Sequence, residues 1–126
     1  MLTGRITSRD DALLPIEIVG SRRMFHQVGV VDTGFNGALS LPHTLLRRAG
    51  WELFGRETFE LANGKRISQK IYLGEVIFDG TRRRVLAASS GGGDILIGTR
   101  LLAGRRCEFD YVTRVVRLRL GGTLRG

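Results

Sequence analysis

The segment Val30-Val31-Asp32-Thr33-Gly34-Phe35-Asn36-Gly37 determines how this chain can fold. The apolar residues 28–31 predict a buried strand, and this strand leads directly into the carboxyl group of Asp32. Thr33 and the glycines after it predict a sharp turn with little side-chain bulk. We therefore expect Asp32 to lie at the mouth of a β-rich core, with the hydroxyl group of Thr33 beside it.

Short strands and tight turns are predicted for most of the remaining chain. The dipeptide Asn63-Gly64 is a strong hairpin motif and predicts a tip between strands at 57–61 and 66–73. Pro42 and Gly50 mark the start and the end of a helix predicted over residues 42–49, and a second short helix is predicted over 99–103. The other predicted strands cover residues 13–19, 24–31, 38–41, 75–78, 83–88, 95–98, 107–111 and 114–120. The predicted fold class is all-β, a closed β-barrel with one or two short helices, in one domain over residues 1–126.

The composition favours a soluble protein of a reducing compartment. A chain of 126 residues can bury a modest core without disulfides, and its single cysteine, Cys107, cannot form one internally. The first residues carry no signal-peptide pattern, and no apolar run approaches the ~20 residues that span a bilayer. We expect a cytoplasmic protein that does not bind a membrane.

The positive charge does not favour a nucleic-acid-binding protein. The net charge is +8, but the arginines are scattered, with only short clusters at Arg82-Arg83-Arg84 and Arg105-Arg106. The aromatic residues do not alternate with these clusters as a base-stacking surface requires. His26 and His43 lack metal-ligand spacing, and no P-loop motif occurs. We predict neither a metal nor a cofactor, and a nucleic-acid partner is disfavoured.

A carboxyl group placed like that of Asp32 can support hydrolysis if a second one lies beside it. Two carboxyl groups a few ångströms apart cannot both ionise, so they share a proton. The ionised group then takes a proton from an attacking water molecule, and the protonated group stabilises the developing oxyanion. Asp-Thr-Gly occurs once and Asp-Ser-Gly not at all, so a second copy of the chain would have to supply the partner. The tripeptide alone is weak evidence, because an ordinary turn capped by Asp32 uses the same residues.

Two segments, in order along the chain, resemble the signatures of retropepsin-like aspartic proteases, in particular the small single-domain bacterial and archaeal members that carry Asp-Thr-Gly-Phe. The first is residues 30–42, and the second is residues 95–102. The resemblance implies that Asp32 is catalytic, with Thr33 and Gly34 as its support. It also implies a flap that closes over the substrate, with a tip at Asn63 and Gly64. The second signature would pack against the catalytic loop through Ile95, Leu96, Ile97 and Gly98.

The function that the resemblance implies is that of a homodimeric aspartic endopeptidase. Its polypeptide substrate would be cleaved by water activated at a pair of aspartates, one Asp-Thr-Gly from each subunit across a C2 interface. The alternative is a catalytically silent module that binds a peptide or protein on the same barrel. The apolar face of residues 114–120 is predicted to contribute to the subunit interface. A role for Asp94 as a second acid is disfavoured, because it follows three glycines in a loop.

Two positions depart from the pattern of the retroviral proteases. Asn36 and Thr99 stand where those proteases have an aspartate and an arginine, and Arg100 lies one residue late. We therefore expect neutral hydrogen bonds, rather than an ion pair, to join the two signature segments.

Overall fold

The computed structural model describes residues 1–60 and 62–121. Leu61, the predicted last residue of a strand, lies outside the described residues, as do residues 122–126 at the end of the predicted domain.

The described chain is built mainly from strands, joined by two short helices. The elements are β1 (Leu2–Ile6), β2 (Ala12–Val19), β3 (Met24–Val31), β4 (Leu39–Pro42), α1 (His43–Ala49), β5 (Glu52–Glu60), β6 (Arg66–Phe78), β7 (Thr81–Ser90), β8 (Leu96–Ile97), α2 (Thr99–Leu102), β9 (Arg105–Asp110) and β10 (Val115–Leu120). Among the described residues, no helix has the length and apolar character needed to cross a membrane.

All of these strands belong to one sheet. Their order is β5-β6-β7-β4-β8-β3-β2-β1-β10-β9, and β2 also pairs with β6. The second pairing of β2 joins β6, β7, β4, β8, β3 and β2 into a closed ring. Within the ring, β8 runs parallel to β3 and antiparallel to β4, so it lies between the strand before Asp32 and the strand after it. The all-β prediction is confirmed.

Alternating apolar residues place the core inside the sheet. In β2, Leu14, Ile16 and Ile18 are buried and their neighbours are not, as the period of two predicts. In β10, Val116 and Leu118 are fully buried in the same core. These two side chains are therefore not available to a second subunit, whereas Leu120 on the same face is 66% exposed, so a contribution of residues 114–120 to a subunit interface stays a prediction. A buried face alternates in the same way whether its own chain or a partner covers it.

Helix α1 forms where proline and glycine predict it. Pro42 has an extended backbone (φ −59°, ψ 143°), so it precedes the helix rather than opening it, and His43 is the first helical residue. Gly50 ends the helix with φ +71°, a left-handed conformation that costs glycine little. Its N–H donates to the carbonyl oxygens of Leu46 and Arg47.

The strand between residues 66 and 78 is continuous, where two strands separated at Gly74 were predicted. A Cβ atom on Gly74 would lie 2.0 Å from two ring atoms of Trp51. The glycine therefore allows the indole ring to pack on the strand and does not mark a turn. Strand β1 was not predicted at all. Its pattern is short, and it is held by pairing with β10 and β2.

Candidate active site

Asp32 lies directly after β3, and the backbone fixes its position. Its N–H donates to the carbonyl oxygen of Ile97 at 2.9 Å, and its own carbonyl oxygen accepts the N–H of Phe35 at 3.1 Å. The second bond closes a β-turn over residues 32–35, so the α-carbons of Asp32 and Phe35 are within about 7 Å of one another. The side chain of Asp32 is half-buried.

One oxygen of the Asp32 carboxylate is held by this turn. Oδ1 accepts the N–H of Gly34 at 2.9 Å, whereas no described residue donates a hydrogen bond to Oδ2. An ordinary aspartate-capped turn makes the same Oδ1 contact, so this bond alone does not indicate catalysis. A Cβ atom on Gly34 would come within 3.3 Å of Oδ1. Thr33 and Gly34 are exposed. The turn therefore presents one oriented carboxyl group to the solvent.

The segment predicted as the second signature packs beside the strand that leads into this turn. Strand β8 aligns Leu96 with Val30 and Ile97 with Val31 in parallel pairing. Ile97 is fully buried and Ile95 nearly so, while Leu96 is half-buried. The strand before Asp32 is thus fixed to a buried neighbour up to the residue that bears the carboxylate.

Gly98 contacts the far side of the same loop. Its N–H donates to the carbonyl oxygen of Ala38 at 2.9 Å. A Cβ atom at this position would lie 2.0 Å from the carbonyl oxygen of Gly37 and 2.7 Å from that of Phe35. Because both atoms belong to the backbone, glycine is required for this approach.

Two more backbone bonds join the signature segments. The N–H of Thr99 donates to the carbonyl oxygen of Phe35 at 2.9 Å, and that of Arg100 donates to the carbonyl oxygen of Gly37 at 3.2 Å. Asn36 is exposed. Among the described residues, neutral main-chain hydrogen bonds therefore link the two signature segments. These bonds lie where the pattern of the retroviral proteases has an aspartate and an arginine.

The predicted flap residues lie at the tip of the β5–β6 hairpin. Oδ1 of Asn63 accepts the N–H of Lys65 at 3.0 Å, and Gly64 has φ +83°. Both residues are exposed. The structure brings Asp32, its turn and β8 together, whereas none of the described hydrogen bonds joins the hairpin tip to them.

A cavity of about 540 Å³ lies beside the Asp32 turn. Its walls are the loop after Asp32, parts of β5, β6 and β7, and the helix α2. They include Phe35, Asn36, Gly37, Ala38, Leu39, Glu57, Ile71, Leu73, Arg83, Arg84, Val85, Leu86, Ala88 and Arg100. Sequence analysis did not assign the three arginines of this cavity to a site: it set Arg83 and Arg84 aside as part of a short cluster, and it considered Arg100 only for its place after the second signature. For Arg83 and Arg84, the indication in the sequence was the charge within an otherwise apolar strand.

The remaining candidate groups do not form a second site. Asp94 is exposed in the loop before β8. His26 contacts Glu17, with 3.0 Å between Nδ1 and Oε1, and His43 is exposed. Burial raises the pKa of the Cys107 thiol, so this cysteine is not an activated nucleophile. Within residues 1–60 and 62–121, no three His, Cys, Asp or Glu side chains cluster as metal ligands.

The solved structures that superpose on this chain include one from Rickettsia conorii and one from a foamy virus. A crystal structure of a retropepsin-like aspartic protease from Rickettsia conorii superposes with a TM-score of 0.65 and 18% identity, covering 92% of this chain and 87% of that one. The foamy viral protease–reverse transcriptase in complex with an RNA/DNA hybrid superposes with a TM-score of 0.53 and 17% identity. That match covers 71% of this chain, which spans 11% of the viral chain.

No protein-family model and no curated protein matches the sequence. At these identities the structural likeness establishes the fold. The chain has the all-β retropepsin-like fold.

Proposed function

We propose, from the retropepsin-like fold of this chain, that it is an aspartic endopeptidase that works as a homodimer. The observation that carries the proposal is the Asp32 turn. One carboxylate oxygen is oriented by the N–H of Gly34, and the other has no donor among the described residues. A buried strand and Gly98 fix the backbone around it. This arrangement suits a carboxyl group that must react with a water molecule.

The single Asp-Thr-Gly supports the dimer part of the proposal. A C2 axis that passes beside the turn would bring Asp32 of two subunits together, because the same surface patch meets itself in an isologous interface. Thr33 and Gly34 are exposed and thus accessible to a second subunit. In this dimer, the hydroxyl group of Thr33 and its symmetry mate would support the two carboxyl groups.

The proposed reaction uses the two aspartates in different protonation states. The ionised carboxylate accepts a proton from water as the oxygen attacks the peptide carbonyl carbon. The protonated carboxyl group donates to the carbonyl oxygen and so stabilises the tetrahedral intermediate. A proton then passes to the amide nitrogen as the C–N bond breaks. The β5–β6 hairpin, with Asn63 and Gly64 at its tip, would cover the substrate and exclude bulk water.

The proposed setting is the cytoplasm. Cys107 is the only cysteine of the chain, so no intrachain disulfide can stabilise the fold. This usage is typical of reducing compartments.

The test is digestion of a peptide library by the wild-type protein and by Asp32→Asn, followed by mass spectrometry. We expect the wild type to cleave, pepstatin to inhibit it, and the variant to lose at least about a thousandfold in rate, since in a homodimer the substitution replaces both carboxyl groups of the dyad by amides. Asp94→Asn is the matched control and should keep its activity. Melting temperature and sedimentation should be the same for all three proteins.

Two results would contradict the proposal. Equal cleavage by the wild type and Asp32→Asn would remove the carboxylate from the mechanism. A strict monomer that binds peptides without cleaving them would instead identify the chain as a catalytically silent binding module.

A further inference from the structure

The cavity beside the Asp32 turn runs along an uncovered strand edge. Strand β7 pairs with β6 from Thr81 to Ala88, but its pairing with β4 begins only at Ala87. The consecutive residues Arg83, Arg84, Val85 and Leu86 all line the cavity. Side chains of consecutive strand residues point to opposite faces, so a cavity that contacts all four lies at the edge of the strand. Such an edge can pair with an extended peptide through main-chain hydrogen bonds.

The cavity is close to the proposed catalytic group. Phe35, which forms part of its wall, is the last residue of the β-turn that begins at Asp32. The α-carbons at the two ends of a β-turn are within about 7 Å, and an extended peptide advances about 3.3 Å per residue. A peptide cleaved at Asp32 would therefore reach this cavity within about two or three residues of the cleaved bond.

The charge in the cavity is predominantly positive. Arg83, Arg84 and Arg100 line it, against one carboxylate, Glu57. Within the described part of the chain, none of these arginines lies within 4.0 Å of a carboxylate oxygen, as the ion pairs there involve other cations. Glu75 is opposite Arg84 in the strand pairing, but its carboxylate accepts both hydrogen bonds of a neighbouring arginine.

Arg83 is a partly desolvated cation with no carboxylate oxygen within 4.0 Å among residues 1–60 and 62–121. Its Nη1 donates to the carbonyl oxygen of Leu101 at 3.2 Å. Burial lowers the pKa of Arg83, and the nearby guanidinium of Arg105 lowers it further. An anion in the cavity would offset both effects, because it supplies charge where water is partly excluded.

The floor of the cavity is apolar. Leu39, Ile71, Val85 and Ala88 are all buried and all contribute to the wall. Arg84 and Arg100 are exposed, so they lie at its rim. The side chain that fits this combination has a short aliphatic stem and a carboxylate end. Glutamate meets both requirements.

We propose that this cavity is a specificity subsite for an acidic side chain, preferentially glutamate, within about three residues of the bond that the protein cleaves. Arg84 and Arg100 pair with the carboxylate, and Arg83 contributes charge from beneath. The inference rests on the proposed peptidase function, since it takes a polypeptide as the ligand.

Peptide binding to the Asp32→Asn protein tests the subsite without cleavage. Fluorescein-labelled peptides that differ only by glutamate or glutamine at one position are titrated by fluorescence anisotropy, with that position moved along the sequence. At one position we expect glutamate to bind about five- to tenfold more tightly, the range for a charge-assisted contact at a partly exposed site. Adding Arg84→Gln and Arg100→Gln should bring the ratio of the two dissociation constants, for the glutamine and the glutamate peptide, to about one.

The matched control adds Arg9→Gln and Arg22→Gln instead. Arg9 and Arg22 are exposed and do not line the cavity. Their substitution removes the same net charge as the substitution of Arg84 and Arg100. The glutamate preference should survive in this control. A ratio near one at every position, no effect of the rim substitutions, or an equal loss in the control would each overturn the subsite.

The library digest separates this inference from the proposed function. Cleavage without acidic preference would overturn the subsite and leave the peptidase intact. Glutamate-selective binding by a protein whose wild type cleaves nothing would support the subsite and overturn the peptidase.

Discussion

Replacing Gly98 by alanine should be among the most damaging single-methyl changes in this protein. The added Cβ atom would lie 2.0 Å from the carbonyl oxygen of Gly37, whereas ordinary contacts begin at 3.4 Å. The two segments must therefore separate by 1.4 Å (3.4 − 2.0). The backbone of Gly98 has φ −96° and ψ 176°, which alanine adopts without strain. The effect is thus a steric one on the Asp32 loop.

The loss in the free energy of unfolding follows from the hydrogen bonds that this separation breaks. The Gly98 N–H bond to Ala38 is 2.9 Å long, and the bonds of Thr99 and Arg100 to the same loop are 2.9 and 3.2 Å. Lengthening by more than 1 Å would lose two or three of them, at about 1 kcal/mol each. Overpacking adds about 1–3 kcal/mol, so we expect a total loss of about 3–6 kcal/mol in the free energy of unfolding.

The measurement is urea unfolding followed by the fluorescence of Trp51, the only tryptophan of the chain. Gly91→Ala is the control, because a Cβ atom there meets nothing within 4 Å. The control should stay within about 0.5 kcal/mol of the wild type. A Gly98→Ala variant as stable as this control would show that the loop yields freely, and the rigidity assigned to the Asp32 turn would be wrong.

Three other predictions concern positions away from this turn. Gly74→Ala should cost about 2–4 kcal/mol and redshift the Trp51 emission, because the ring must leave the strand that the new methyl group would overlap at 2.0 Å; an unchanged spectrum and urea midpoint would contradict the packing. Hydrogen bonds from the turn after β9 hold the pKa of Asp110 below its ordinary value of 3.8, so its stabilising effect is present above that pH and lost as the pH falls through the folded-state pKa. The urea midpoints of wild type and Asp110→Ala should accordingly differ at pH 6 and draw together as the pH is lowered below 3.8, and a constant difference would refute this. Since burial raises the pKa of Cys107, iodoacetamide at pH 8 should modify the folded protein more slowly than the urea-unfolded chain, and equal rates would count against it.

Local patterns were sufficient for several parts of this fold. Pro42 and Gly50 predicted helix α1 to within one residue, since both have fixed backbone preferences. The apolar run before Asp32 predicted a strand, and Thr33 with the glycines after it predicted the turn that ends this strand. These features depend on residues that are adjacent in sequence.

Contacts between distant segments could not be predicted in the same way. Gly74 looks like a turn residue until Trp51 is seen to pack on it. The alternation of Val116 and Leu118 shows that one face is buried but not which chain buries it. Arg83 and Arg84 of β7 line a cavity only because the loop after Asp32 and helix α2 pack beside this strand, and both are separate from β7 in sequence. Such information lies in the topology of the sheet.

The bonds that hold the Asp32 turn to β8 and to the start of α2 come from main-chain N–H and carbonyl groups. Main-chain groups are common to every residue, so substitutions at Asn36 or Thr99 can accumulate without loosening the turn. Gly98 is constrained by shape, because a Cβ atom there would overlap main-chain atoms of the loop. A turn held by main-chain hydrogen bonds can keep its geometry while its side chains change. The neighbour that superposes over 92% of the chain at 18% identity is consistent with this.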